Sequence, residues 1–268
     1  MRVNPIIDRE ILDTATSLKM IGVCAAGMNH IDMDYAKEKG ILVVNVARLD
    51  ANAVTELTFG MMLDIARKII PANKDVKEAH HWDRSHFVGY KFRGKTLGIM
   101  RFGRVGRRVA ELGKVFWMMI AAYDSYLKPE QFEAAGTKGM SVDELLKVSD
   151  FVSEHVPLTP ETKYLFSKST LSLMKNTAVV LNMSLGGIVN ESDMYAALKA
   201  GSIGGYAADV LKNELAGSGL QGNDSFISPV FECNNFVETP HIGAHTLDMF
   251  HDVGVFITEK VKEFLGEV

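Results

Sequence analysis

The chain of 268 residues is poor in cysteine, with only Cys24 and Cys233. Two thiols cannot build a disulfide framework, so a reducing compartment is expected and the cytoplasm is the default location. No apolar run approaches the roughly 18 residues of a membrane span. The start, Met1-Arg2-Val3-Asn4-Pro5, leads into no apolar core with a small-residue cleavage site, so no secretory signal is read. Positive charge is not in excess either. Lys+Arg number 29 against 33 Asp+Glu, a net charge of −4, which argues against nucleic acid as a partner; no membrane partner is expected. His80 and His81 are adjacent, which suits a solvated turn better than a ligand pair, so no metal is expected. Repeats and low-complexity tracts are absent. The remaining balance, 47% hydrophobic and 23% charged, excludes a disordered chain. The length allows one large domain or two modest ones.

Short apolar runs punctuate the chain. Met20 to Cys24 and Ile41 to Asn45 read as buried strands, followed by Leu97 to Met100, Met118 to Tyr123, Phe151 to Ser153, Ala178 to Leu181, Tyr206 to Ala208 and Asn235 to Val237. Helical patterns lie between them: Val54 to Lys68, Arg104 to Val115, Glu191 to Ala200 and a closing amphipathic stretch from Leu247 to Phe264. Strands that alternate with helices imply an α/β fold with a mostly parallel sheet. Such strands are covered on both faces, which explains continuous apolar runs in place of strict alternation. A domain boundary is expected near Ile70-Pro71, where proline interrupts a helical pattern, and a return crossing near His241-Ile242-Gly243.

The sharpest local feature is Gly98-Ile99-Met100-Arg101-Phe102-Gly103-Arg104-Val105-Gly106, which follows a strand and opens a helix. That is the context of a dinucleotide fingerprint. Asp124 ends the next strand, 18 residues past Gly106, close to the spacing of about 20 expected for an acid on the ribose diol. A carboxylate there accepts hydroxyl hydrogen bonds and repels a 2′-phosphate, so NAD is favoured over NADP. The pattern has one break. Arg101 stands where the first glycine belongs, and it either partners the pyrophosphate or obstructs it.

Several motifs in order resemble the D-isomer-specific 2-hydroxyacid dehydrogenases, with a flavour of the D-3-phosphoglycerate dehydrogenases. They are Gly94 to Ile99 leading into Gly103-Arg104-Val105-Gly106, Tyr123-Asp124, His155 to Thr162, Asn182 through Gly186-Gly187-Ile188-Val189, Ala207 to Val210, and Thr239 to Ala244. The resemblance covers nearly the whole chain. It implies a Rossmann-type doubly wound parallel sheet over 74–241 that binds NAD. It also implies a flavodoxin-like substrate domain built from 1–73 and 242–268, and a homodimer formed through the cofactor domains. Against the family pattern the beginning is short by on the order of 50 residues, one to two strand–helix units, so the substrate domain is expected to be truncated. Its two strands would be marginal alone and need cover from the closing helix, the cofactor domain or a partner chain.

Position by position, the resemblance puts Gly103, Arg104, Val105 and Gly106 at the pyrophosphate and Asp124 on the adenosine ribose. Val156 and Pro157 would border the adenine, and Met183 and Asp209 would hold the nicotinamide carboxamide. Gly243 would close the cofactor site, and Ala26 and Gly27 would approach substrate. His241 takes the place of the family's proton-transferring histidine, a role that suits a group titrating near neutral pH. Glu214 takes the place of its carboxylate partner. Leu185 occupies the place of the family arginine, which clamps the substrate carboxylate and polarises the keto oxygen. Losing such a charge-assisted contact costs on the order of 3 kcal/mol or more in the transition state, roughly a hundredfold in rate. Arg48 is a candidate replacement. Trp117 stands where the family has a small glycine before the second cofactor-domain strand.

Three readings follow. The first is an NAD-dependent oxidoreductase acting on a small 2-hydroxy or 2-keto acid, impaired by leucine at 185. The alternative is a catalytically silent relative that binds NAD weakly or serves as a regulatory or oligomeric module. The third is a reductase for a substrate without a carboxylate.

Overall fold

The alternating apolar and amphipathic segments form nine strands and ten α-helices in a computed structural model that describes residues 6–25, 27, 28, 30–46, 49, 51–214 and 226–266. In chain order these are α1 (Arg9–Thr14), β1 (Met20–Val23), α2 (Met33–Glu38), β2 (Leu42–Asn45), α3 (Ala51–Arg67), α4 (Ile69–Lys74), β3 (Thr96–Met100), α5 (Arg104–Val115), β4 (Met119–Tyr123), α6 (Pro129–Ala134), β5 (Lys138–Gly139), α7 (Val142–Val148), β6 (Phe151–Glu154), α8 (Lys168–Leu171), β7 (Val179–Asn182), α9 (Glu191–Lys199), β8 (Gly205–Ala208), β9 (Phe236–Glu238) and α10 (Leu247–Leu265). They divide between two compact units, residues 1–53 with 244–268, and residues 54–243.

In the smaller unit β1 and β2 pair in parallel, from Met20 opposite Leu42 to Val23 opposite Asn45. Leu12, Ile21, Val23, Ile31, Ala36 and Ile41 form its buried core. The closing helix α10 covers β1. Its Ile257 lies so near Gly22 that a Cβ there would meet Cγ2 at 3.0 Å.

The larger unit is a seven-stranded parallel sheet in the order β5-β4-β3-β6-β7-β8-β9. The chain runs outward from β3 to β5, then returns to β6 and proceeds the other way, which makes β3/β6 the topological switch point. Side chains leave the sheet alternately. Val152 and Val180 enter a core with Leu145, Phe166, Ile188 and Tyr206 on one face. Their neighbours Phe151, Val179 and Leu181 enter the opposite core with Phe59, Met62, Leu97, Ile99 and Val109. Both faces are therefore covered, as the continuous apolar runs require.

Two expectations shift. The first boundary lies at 53/54, not near Ile70-Pro71. Phe59, Met61, Met62 and Ala66 of α3 are buried in the larger unit's core, and Phe59 stacks on Phe116 with ring centroids 5.3 Å apart, so this helix belongs to that core. The interruption after Arg67 comes from Lys68 in the left-handed region (φ 55°), while Pro71 sits within the first turn of α4, where its missing N–H costs little. Strand β5 went unread because two residues carry no periodic signal.

Candidate active site

Parallel strands bring all their carboxyl ends to one edge. Arg101 follows β3, Asp124 follows β4, His155 follows β6, Met183 follows β7, Asp209 follows β8 and Thr239 follows β9. This edge, at the switch point, is where an open α/β sheet receives its ligand.

The glycine-rich turn fits a dinucleotide cradle. Gly103 caps α5, and a Cβ there would meet only Arg101 Nε, at 3.8 Å, so the approach to the first turn of the helix is open. Gly106 is buried and close-packed. A Cβ on it would stand 2.3 Å from the Arg101 carbonyl oxygen, so only glycine lets the helix lie this near the strand. Arg104 opens the helix on an exposed side, and Val105 is half-buried against the core. The Asp124 carboxylate accepts the Phe102 N–H at 3.0 Å and the Tyr126 N–H at 2.9 Å. Each oxygen keeps a further lone pair for a ribose hydroxyl. Arg101 adopts φ 73°, the left-handed conformation that the first glycine of the fingerprint would take without strain. The residues present therefore fit NAD, with one arginine added to the cradle.

At the end of β6, Val156 is buried, Pro157 is exposed, and the Pro157 carbonyl accepts the Thr162 hydroxyl at 2.6 Å. Sequence reasoning passed over Glu154, which is wholly buried. It accepts the Ser184 hydroxyl and the Val156 N–H. Burial pushes its carboxyl up to about 8, against the opposing pull of those donors and of the Arg101 charge. Burial likewise pushes the His155 imidazole down to about 3, helped by Arg101, and its Nε2 lies 2.9 Å from Ser153 Oγ. The signal available in the sequence was one acid ending an apolar strand.

Met183 is buried in the core beside β7. The turn that follows approaches the 209–214 loop closely, since a Cβ on Gly186 would stand 2.0 Å from the Leu211 carbonyl carbon. Leu185 lies in this turn with extended backbone. Its carbonyl accepts Asn182 Nδ2 at 3.0 Å, and its side chain is packed against the core. It brings no charge to the edge. Arg48 and Ala26 lie outside the described residues. Gly27 is an exposed loop residue of the smaller unit.

Asp209, 3% exposed, organises the loop after β9. Its carboxylate accepts the Thr239 hydroxyl at 2.6 Å, the Ile242 N–H at 2.8 Å and the Gly243 N–H at 2.7 Å. Within that loop His241 is held in the left-handed region (φ 53°) by N–H bonds to the Asp209 and Thr239 carbonyls, both 2.9 Å. Its Nδ1 lies 3.0 Å from Glu214 Oε1. A carboxylate there favours the tautomer with its proton on Nδ1, leaving Nε2 for proton exchange. The loop thus pairs an acid and an imidazole from the ends of two adjacent strands.

A family model described as "D-isomer specific 2-hydroxyacid dehydrogenase, NAD binding domain" matches residues 59–243. The chain belongs to this family. Its cofactor is accordingly NAD, and the matched stretch lies within the larger unit. The chain is 37% identical over 264 residues to a D-3-phosphoglycerate dehydrogenase of Methanocaldococcus jannaschii, covering 98% of this chain and 48% of that protein. It is 35% identical to a glyoxylate reductase of Thermococcus litoralis, covering 98% of this chain and 78% of that protein. Among solved structures, a D-lactate dehydrogenase from Aquifex aeolicus, complexed with NAD and lactic acid, superposes with a TM-score of 0.87 at 30% identity, covering 99% of this chain and 82% of that one. The chain spans about half the length of the phosphoglycerate dehydrogenases it matches. None of its helices among the described residues is long and apolar enough to cross a membrane.

Proposed function

We propose that this chain is an NAD-dependent oxidoreductase that interconverts a small 2-hydroxy acid and its 2-keto acid. The observation that carries the reading is the His241–Glu214 pair at 3.0 Å, set at the same carboxyl edge as an open, glycine-capped helix start. Bound NAD supplies the hydride acceptor. The chain's own residues do the rest. His241 moves the proton of the substrate hydroxyl, and Glu214 orients the imidazole and stabilises its charged form. Asp124 receives the adenosine ribose, and Gly103, Arg104, Val105 and Gly106 receive the pyrophosphate. Val156 and Pro157 border the adenine. Met183 and Asp209 meet the carboxamide, Gly243 closes the loop beside them, and Ala26 and Gly27 meet the substrate.

Leu185 supports a second reading, a catalytically silent NAD-binding relative, because an apolar side chain packed against the core cannot bind a carboxylate. NADH oxidation with a panel of 2-keto acids separates the two. Turnover that disappears in His241→Ala supports the dehydrogenase. Turnover that survives in His241→Ala refutes the proton-transfer role. No turnover in the wild type, restored by Leu185→Arg, establishes the silent relative.

The proposal includes a homodimer through the larger unit and a cytoplasmic setting. The larger unit exposes the large apolar side chains of Trp82 (91%), Val88, Tyr90, Trp117 (70%) and Met119, of a kind that a second copy would cover. Light scattering at the mass of one chain would exclude the dimer. Two cysteines in 268 residues are in keeping with a reducing compartment.

A further inference from the structure

A non-glycine residue held at positive φ beside a binding crevice is strain retained at a functional position. Arg101 is such a residue. Its backbone is locked at φ 73° by an N–H bond to the Tyr123 carbonyl at 2.7 Å, so the turn persists although a Cβ is unfavourable there. Its side chain is exposed and passes the open flank of the first turn of α5, with Nε 3.8 Å from where a Gly103 Cβ would stand. Other arginines of this segment are engaged. Arg107 lies over the Phe102 ring at 4.8 Å, and Arg108 pairs with Glu111. The Arg101 guanidinium, among the described residues, has no hydrogen bond or ion pair.

Nor do the ionisable groups of the adjacent strand end neutralise it. Glu154, at the end of the adjacent strand β6, is kept largely protonated at pH 7 by burial, and His155 is kept neutral. The Asp124 carboxylate, at the end of β4, accepts the Phe102 and Tyr126 amides and, among the described residues, no side-chain donor. A guanidinium with no hydrogen bond or ion pair among the described residues thus stands at the switch point, beside the start of α5. Both features favour an anion, and a planar fork matches two phosphate oxygens.

We propose that Arg101 is a diphosphate ligand of this chain, its guanidinium donating to the NAD pyrophosphate alongside the backbone amides of the α5 start. The inference rests on the NAD site described above. It makes Arg101 a binding residue in place of a broken fingerprint, with backbone strain retained for the sake of a charge-assisted contact.

Titration of the full-length chain with NADH by calorimetry, for wild type, Arg101→Gln and Arg101→Gly, tests it. A lost charge-assisted hydrogen bond predicts NADH binding about tenfold weaker, or more, in both variants. Arg101→Gly relieves the positive-φ strain, so its thermal midpoint is expected at or above that of the wild type, which separates lost binding from lost folding. Arg101→Gln keeps a side chain of similar reach and serves if the glycine variant folds poorly. Unchanged or tighter NADH binding in the variants overturns the proposal and makes Arg101 an obstruction. Wild type without saturable NADH binding up to millimolar overturns the NAD reading itself, and this inference with it.

Discussion

Replacing Asp209 by alanine tests the claim that one buried carboxylate holds the His241 loop. The side chain is 3% exposed and accepts three donors: Thr239 Oγ1 at 2.6 Å, Ile242 N at 2.8 Å and Gly243 N at 2.7 Å. Removing it orphans all three, but not equally. Gly243 is buried, so its N–H loses a charge-assisted bond with no water to replace it, about 1.5–3 kcal/mol. Ile242 is 37% exposed, and water recovers part of its bond. The Thr239 hydroxyl can rotate towards Met61 Sδ, already 3.8 Å away. The expected total is about 2–4 kcal/mol, below the sum of three full penalties. Urea unfolding followed by circular dichroism measures the loss, and hydrogen exchange reads the Ile242 and Gly243 amides directly. These amides should exchange faster in Asp209→Ala, and Asp209→Asn should fall between the two proteins. A loss below about 1 kcal/mol with unchanged exchange would refute the argument that Asp209 anchors the loop.

The buried Glu154 predicts a pH dependence with a definite sign. Its carboxyl rises from an ordinary 4.5 to about 8 in the folded chain. Between those values the folded state holds a proton that the unfolded state has lost, so stability falls as pH rises, by up to about 1.4 kcal/mol per unit. Urea midpoints at pH 5, 7 and 8.5 should decline in the wild type and decline less in Glu154→Gln; parallel profiles would show that Glu154 does not carry the effect. Gly106→Ala sets helix propensity against packing. Alanine favours a helix by about 1 kcal/mol, but its Cβ would stand 2.3 Å from the Arg101 carbonyl oxygen, and forcing the backbone apart costs about 1–3 kcal/mol. A lower thermal midpoint is expected, and a higher one would mean that α5 does not lie this close to β3.

Much of this protein is local, and local order is legible in a sequence. Apolar runs bounded by turns located every strand except the two-residue β5. The glycine spacing located the start of α5, and Asp124 was placed by its distance along the chain. These features follow from backbone period, turn chemistry and reach, which neighbouring residues decide. Their resemblance to a known family also named His241, Glu214 and the leucine at 185 before any fold was built.

Only the tertiary structure decided what those residues experience. Glu214 and His241 meet because β8 and β9 lie side by side and end at the same edge. Asp209, read as a nicotinamide contact, is also the acceptor that holds the His241 loop. Glu154 drew no notice in the sequence, and only its enclosure between β3 and β7 shifts its proton affinity. Helix α3 read as a segment before a proline boundary, yet its phenylalanine and methionines are buried in the larger core. Arg101 read as either a partner or an obstruction of the pyrophosphate, and its meaning rests on a positive φ, an open glycine beside it and the absence of a partner among the described residues. Burial, pairing and charge compensation depend on residues far apart in the chain, and no local pattern encodes them.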